Sequence, residues 1–242
     1  MNIDDKNEVI QYDYILSIDV GIKNCSYIML QNNYHKDNTV DNIATELDIV
    51  MFKNLDFSDG ENCNSISLMQ LNNTIIKSFK EEFDDFFEFM DNVEAEVLII
   101  IEEQMSGRMK CIQNMMASYF IINHYGQFDS NIVFFVSPIQ KLKPFKEDLK
   151  ILSKPFAGCN NHNKNKNKAN FIMDNKMIPL MKAEFLDGDG NPKVFKLKEY
   201  IDCYTGLKKQ DDMADAFLQA LYYLLNPFTS AENKLINNRY FR

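Results

Sequence analysis

The chain has 242 residues, 45% of them hydrophobic, and a formal net charge of −9. This composition excludes a disordered chain and predicts one packed domain, residues 1–242, with loop insertions near 31–64 and 155–205. The N-terminus lacks the apolar core of a secretion signal, and the longest aliphatic run, Val97–Ile101, is too short to span a membrane. We therefore expect a soluble intracellular protein without a membrane partner.

Apolar runs and polar breaks alternate along the chain and predict its secondary structure. Residues 21–24 form a polar turn between two β-branched runs, which predicts a β-hairpin. Apolar residues at steps of three or four from Leu68 to Met90 predict an amphipathic helix. In chain order we predict strands at Tyr14–Val20, Cys25–Leu30 and Leu47–Phe52, the helix from Leu68, a strand at Val97–Ile101, a helix at Met109–Tyr125, a strand at Ile132–Val136 and a helix at Gln210–Leu225. This order predicts an α/β protein and is similar to that of an RNase H-like fold, a mixed five-stranded sheet with helices on both faces.

Four acidic residues occupy positions that suggest a metal site. Asp19 lies within one apolar strand and Glu102 ends another, where an ionised carboxylate is costly unless it is paired or binds a cation. Asp212 and Asp215 are three residues apart, on one side of the last helix. Together these oxygens would suit one or two Mg²⁺ ions, which can drive phosphodiester hydrolysis. Any one of these acids alone could be a helix cap or a surface charge, but the joint pattern favours a catalytic site.

Strand parity separates Glu102 from its neighbour Glu103. Successive side chains of a strand point to opposite faces, so only Glu102 can share a face with Gln104. We therefore expect Glu102 to complete the site and Glu103 to point away from it.

Three motifs make the pattern specific. Residues 19–24 (DVGIKN), 101–104 (IEEQ) and 208–216 (KKQDDMADA) resemble the motifs of RuvC-like Holliday junction resolvases, especially the poxvirus and fungal mitochondrial branches. The resemblance implies a structure-selective endodeoxyribonuclease that acts as a symmetric homodimer on branched DNA. Such an enzyme resolves four-way junctions by paired symmetric incisions. The resemblance also implies Mg²⁺ as the cofactor, with Mn²⁺ as a substitute, and a location in the host cytoplasm if the protein is poxviral. The catalytic and metal-binding residues would be Asp19, Glu102, Asp212 and Asp215.

The distribution of charge bears on DNA binding. Residues 1–100 carry 20 acidic and six basic side chains, whereas residues 101–242 carry 15 and 20. Net acidity argues against a nucleic-acid partner, but the basic second part permits a local phosphate-binding face. We predict DNA-backbone contacts for Lys141, Lys143, Lys164 and Lys168. The Asn/Lys tract at residues 160–170 is also typical of a solvated, mobile loop.

Two other functions remain open. An RNase H-like nuclease without junction preference would use the same carboxylates. A nucleotide-binding protein of the actin and sugar-kinase type also begins with an Asp-x-Gly strand end. That class needs a second Asp-x-Gly loop and a Gly-rich adenosine site. The sequence has only eight glycines and shows neither feature, which disfavours this class. A DNA-binding scaffold without catalysis is disfavoured by the complete set of acids.

Overall fold

The computed structural model describes residues 12–32, 40, 48–124, 132–150, 161–183 and 195–226. Its five strands are β1 (Tyr14–Asp19), β2 (Cys25–Gln31), β3 (Asp48–Leu55), β4 (Val97–Glu102) and β5 (Ile132–Val136). They form one sheet in the order β3-β2-β1-β4-β5. Strand β2 is antiparallel to β1 and β3, whereas β1, β4 and β5 are parallel. The prediction of an α/β protein with a mixed five-stranded sheet is confirmed.

Helices cover both faces of this sheet. Within the described residues they are α1 (Leu68–Asn92), α2 (Gly107–His124), α3 (Lys146–Lys150), α4 (Asn161–Ile172), α5 (Ile178–Ala183), α6 (Phe195–Gly206) and α7 (Asp211–Leu225). A 3₁₀ turn at Gln140–Phe145 precedes α3, and a π-helical segment at Met173–Met177 joins α4 to α5. Helices α4 to α7 contribute to the core on one face, and α1 and α2 to the core on the other.

Strand periodicity divides β1 between the two cores. Ile15 faces the core that contains α7, whereas Leu16 and Ile18 face the core that contains α1 and α2. Because side chains alternate along a strand, Ser17 and Asp19 lie on the same face as Ile15. The last residues of β1 are therefore directed toward α7.

Most predicted elements lie within a few residues of their observed bounds, but the basic region differs. Strand β3 continues to Leu55, three residues beyond the prediction. Residues 161–170 of the Asn/Lys tract, for which a mobile loop was one alternative, lie in α4. Helix α5 and all but the last residue of α6 also lie within the segment 155–205, where a loop insertion was expected. Ala169 and Ile172 of α4 are fully buried against the α7 core. Tertiary packing explains this helix better than its polar composition does.

No helix in the described part of the chain is long and apolar enough to cross a membrane. Four parts of the predicted insertions lie outside the described residues: 33–39, 41–47, 155–160 and 184–194.

Candidate active site

The topology brings Asp19 and Glu102 to the same edge of the sheet. Strands β1 and β4 are adjacent and parallel, and Ile18 pairs with Ile101 in their register. The next residue of each strand is therefore an acid at a carboxyl end. A tight turn follows Asp19, and a Cβ atom on Gly21 would lie 2.3 Å from the carbonyl oxygen of Asn24. A glycine is needed there because any side chain would force the turn to move.

Helix α7 supplies the third carboxylate of the cluster. Ligand oxygens of Asp19, Glu102 and Asp215 all lie within 4.8 Å of one another. We refer to these three residues as the acid cluster. Asp212, one turn earlier on α7, is also buried but is outside this group, and its carboxylate contacts lysines instead. The structure thus gathers three of the four predicted acids and places the fourth beside them.

The acid cluster lines a cavity of about 660 Å³. Asp212 shares this cavity, together with the turn at residues 20–24 and the segment at residues 103–106. Besides Lys23 of that turn, three lysines from other parts of the chain line it: Lys141, Lys166 and Lys209. The site is therefore an open acidic pocket with cationic side chains on its walls.

Lys141 lies inside the acid cluster. It was predicted to contact the DNA backbone, but its side chain is only 3% exposed. Its ammonium group lies 2.9 Å from Oε2 of Glu102 and 2.8 Å from Oδ2 of Asp215. Burial alone would lower the pKa of Lys141, but Asp215 and Glu102 outweigh it and raise the pKa above its usual value. The burial of Lys141 could not be predicted from the sequence, because lysine is almost never fully buried unless it is paired.

One ammonium does not balance three carboxylates. Burial, reinforced by Glu102 and then by Asp215, raises the pKa of Asp19 well above its ordinary value. Burial also raises the pKa of Asp215 to about 6, although Lys141 acts in the opposite direction. The site therefore disfavours full ionisation of its carboxylates, and an additional cation would stabilise their ionised forms.

The donor set fits a hard divalent cation. Oδ1 of Asp215 is buried and has no hydrogen-bond partner among the described residues. An unpaired buried acceptor is unfavourable unless a cation or a water satisfies it. Carboxylate oxygens are the ligands that Mg²⁺ prefers, and Asp19, Glu102 and Asp215 could hold it.

A second group of charges surrounds the N-terminus of α7. Lys166 of α4 contacts Asp211 and lies 2.9 Å from Oδ1 of Asp212. Lys209 contacts Asp212 and lies 3.6 Å from Asp211. Burial would raise the pKa of Asp211, but the hydrogen bond from Lys166 prevails and lowers it. Asp211 and Lys209 lie within the motif at residues 208–216 but were given no role of their own. Nothing in the Asn/Lys tract distinguishes Lys166 from its neighbours.

The other predicted DNA-binding lysines lie outside the acid cluster. Lys143 is exposed, with its ammonium 6.0 Å from the ring centre of Tyr222. Lys143 and Lys168 line a groove of about 330 Å³, whereas Lys164 is half-buried on α4. Glu103 is not part of the acid cluster, although it lines the cavity, and its backbone N–H donates to the carbonyl of Val136.

Neither a protein-family model nor a curated protein sequence matches the chain. Solved structures similar to this chain include the fowlpox virus Holliday junction resolvase, with 14% identity, a TM-score of 0.47, and coverage of 88% of this chain and 97% of the fowlpox chain. The yeast mitochondrial Holliday junction resolvase Ydc2 is 17% identical with a TM-score of 0.49, covering 97% of this chain and 86% of its own. Thermus thermophilus RuvC is 9% identical with a TM-score of 0.42, covering 87% and 94% respectively.

Proposed function

We propose that this protein is a Mg²⁺-dependent endodeoxyribonuclease that resolves four-way DNA junctions by paired hydrolytic incisions. The observation that carries the proposal is the acid cluster, in which two strand ends and one helix direct carboxylate oxygens to within 4.8 Å of one another. The choice of substrate comes from the motif resemblance around Asp19, Glu102 and residues 208–216. Junction resolution is also the activity for which the proteins of the similar structures are named.

Asp19, Glu102 and Asp215 are the residues that would hold the ion. A divalent cation at such a site supplies Lewis acidity and lowers the pKa of a water molecule, which is the chemistry that phosphodiester hydrolysis needs. The three residues lie on two strands and a helix, so little backbone reorganisation is needed when the ion binds. Asp212 lines the same cavity and would support a second ion or orient groups at the first. Mn²⁺ would substitute for Mg²⁺ on the same oxygen ligands.

The lysines of the cavity would bind the negatively charged phosphates of the substrate. Lys166 and Lys209 pair with Asp211 and Asp212 at the cavity wall and are partly exposed, with side-chain accessibilities of 23% and 51%. Both can therefore also reach a phosphate in the cavity. Lys143 and Lys168 line the neighbouring groove and would contact the DNA backbone without reading its sequence. We therefore assign branched DNA as the partner despite the net acidity of the chain.

Paired incision of a junction further implies two active sites. Two cuts related by a two-fold axis are most simply made by two identical subunits with a self-complementary interface. We accordingly propose a homodimer, whose presence in solution can be measured by sedimentation. We also propose that residues 1–242 form a single nuclease domain.

The test is cleavage and binding measured on the same labelled four-way junction, with Mg²⁺ or with EDTA. We expect cleavage only with Mg²⁺, and we expect Asp19→Asn, Asp212→Asn and Asp215→Asn to abolish it while junction binding persists. Asp202→Asn is the matched control, because Asp202 is an exposed residue of α6 whose carboxylate pairs with Lys198 on the same helix. Wild-type turnover in an acid-cluster variant would remove that residue from the site.

Parallel assays on linear duplex and on an RNA/DNA hybrid test the substrate. A junction-selective enzyme leaves both intact under conditions that resolve the four-way junction. Equal cleavage of all three substrates would instead support an RNase H-like nuclease without junction preference.

A further inference from the structure

A polar contact is buried in the apolar interface between α7 and β1. Nε2 of Gln219 donates a hydrogen bond to Oγ of Ser17 over 3.1 Å. Ser17 is fully buried and Gln219 is 2% exposed. Around them α7 packs mainly apolar residues, including Ala216 and Ala220.

The position of this contact relates it to the acid cluster. Ser17 precedes Asp19 by two residues in β1, so both side chains lie on the same face of the sheet. Gln219 follows Asp215 by four residues in α7, so the two side chains are neighbours on one face of the helix. The Ser17–Gln219 bond therefore links β1 to α7, the same two elements that bring Asp19 and Asp215 together. It lies further into the core than the two acids.

Stability alone does not explain this contact. A buried neutral hydrogen bond contributes little net stability compared with well-packed apolar groups, whereas an unsatisfied buried acceptor is costly. Oε1 of Gln219 is such an acceptor, because it has no hydrogen-bond partner among the described residues. A pair of apolar side chains at these positions would avoid that cost. A directional bond does, however, fix the register of two surfaces that apolar packing constrains more loosely.

The contact opposes a repulsion. Asp19 and Asp215 each carry an ionisable carboxylate, and the two groups disfavour each other's charge. Lys141 offsets part of this repulsion through its contact with Asp215, and the remainder acts to separate the N-terminal part of α7 from β1. A fixed point one turn further along the helix limits that movement.

We propose that Ser17 and Gln219 are positioning residues, which hold α7 against β1 at the spacing that lets Asp19 and Asp215 share a divalent cation. The inference rests on the proposed metal site but not on the identity of the DNA substrate. It predicts that metal affinity depends on the hydrogen bond even where the stability of the fold does not.

A double-mutant cycle separates a role in the stability of the fold from a role in positioning the metal ligands. The variants are Ser17→Ala, Gln219→Leu and the double variant, and the readouts are Mn²⁺ affinity by calorimetry without DNA and the midpoint of thermal unfolding. Each single variant leaves one buried polar partner unpaired, so both should be less stable than wild type. In the double variant both polar groups are removed, and we expect thermal stability to return toward the wild-type value.

Mn²⁺ affinity should not recover in the same way. We expect all three variants to bind Mn²⁺ about tenfold more weakly than wild type, by analogy with the loss of other groups that orient metal ligands. The double variant should be no weaker than either single variant, because all three lack the same bond. Ser58→Ala is the control, since Ser58 is also buried and its Oγ has no partner among the described residues, but it lies on the loop after β3.

Two results would overturn the inference in distinguishable ways. If the double variant regains wild-type affinity along with its stability, or if Ser58→Ala weakens Mn²⁺ binding equally, the hydrogen bond has only a structural role. If wild-type protein does not bind Mn²⁺, the metal site itself is refuted and the positioning role with it.

Discussion

Replacing Lys141 by methionine tests the electrostatics of the acid cluster. The substitution keeps most of the apolar stem and removes the charge that lies 2.9 Å from Glu102 and 2.8 Å from Asp215. Removing one partner from a buried ion pair costs about 3–5 kcal/mol, because the other charge is left uncompensated. For a domain of this size the midpoint of thermal unfolding should therefore fall by roughly 10 °C at pH 7 in EDTA. The matched control is Lys143→Met, two residues further on and exposed, which should change the midpoint little.

The loss should depend on pH and on metal. The pKa of Asp215 is raised to about 6 in the folded protein, above its ordinary value, so its ionisation destabilises the fold as the pH rises through 6. Below that pH the carboxyl is largely protonated, and the difference between Lys141→Met and wild type should shrink. Added Mg²⁺ should raise the midpoint more in the variant than in wild type, because the ion replaces a missing positive charge. If Lys141→Met resembles Lys143→Met at pH 7, or if its deficit grows on acidification, the reasoning is wrong.

Three further predictions address other parts of the site. Glu102→Gln should eliminate Mg²⁺-dependent junction cleavage, whereas Glu103→Gln should retain most of it, and the reverse ranking in the same assay would contradict the assignment of Glu102. Gly21→Ala should lower stability by about 1–3 kcal/mol, because its Cβ would overlap the following turn. A Cβ atom at Gly107 would meet open space, so Gly107→Ala should not lower stability in this way. Equal unfolding midpoints for the two variants would refute the steric argument. Lys168→Gln should reduce the slope of log affinity against log salt by about 0.9 in junction binding, and an unchanged slope would place Lys168 outside the DNA contact.

The strand-end acids could be predicted because their signal is local. An acid within or directly after an apolar run marks an unusual environment, although β4 ends at Glu102 and strand alternation does not extend to Gln104. The parallel pairing of β1 with β4 then brings Asp19 and Glu102 together. Hydrophobic periodicity carried enough information for this part of the site.

The lysines could not be assigned in the same way. The positions of Lys141 and Lys166 depend on how a 3₁₀ turn and a polar helix pack against α7, and neither element has a strong hydrophobic pattern. Spacing also did not distinguish Asp212 from Asp215, since both lie on one side of the helix. Their environments differ because Asp212 contacts Lys166 and Lys209, whereas Asp215 contacts Lys141.

The acid cluster draws its three members from distant parts of the chain. Asp19 is close to the N-terminus, Glu102 is in the middle, and Asp215 lies almost two hundred residues after Asp19. During synthesis the sheet edge that carries Asp19 and Glu102 is made long before α7. A partly made chain therefore has an incomplete ligand set, and on the proposed function it cannot cut DNA. On that function, the order of the elements along the chain delays nuclease activity until α7 has docked.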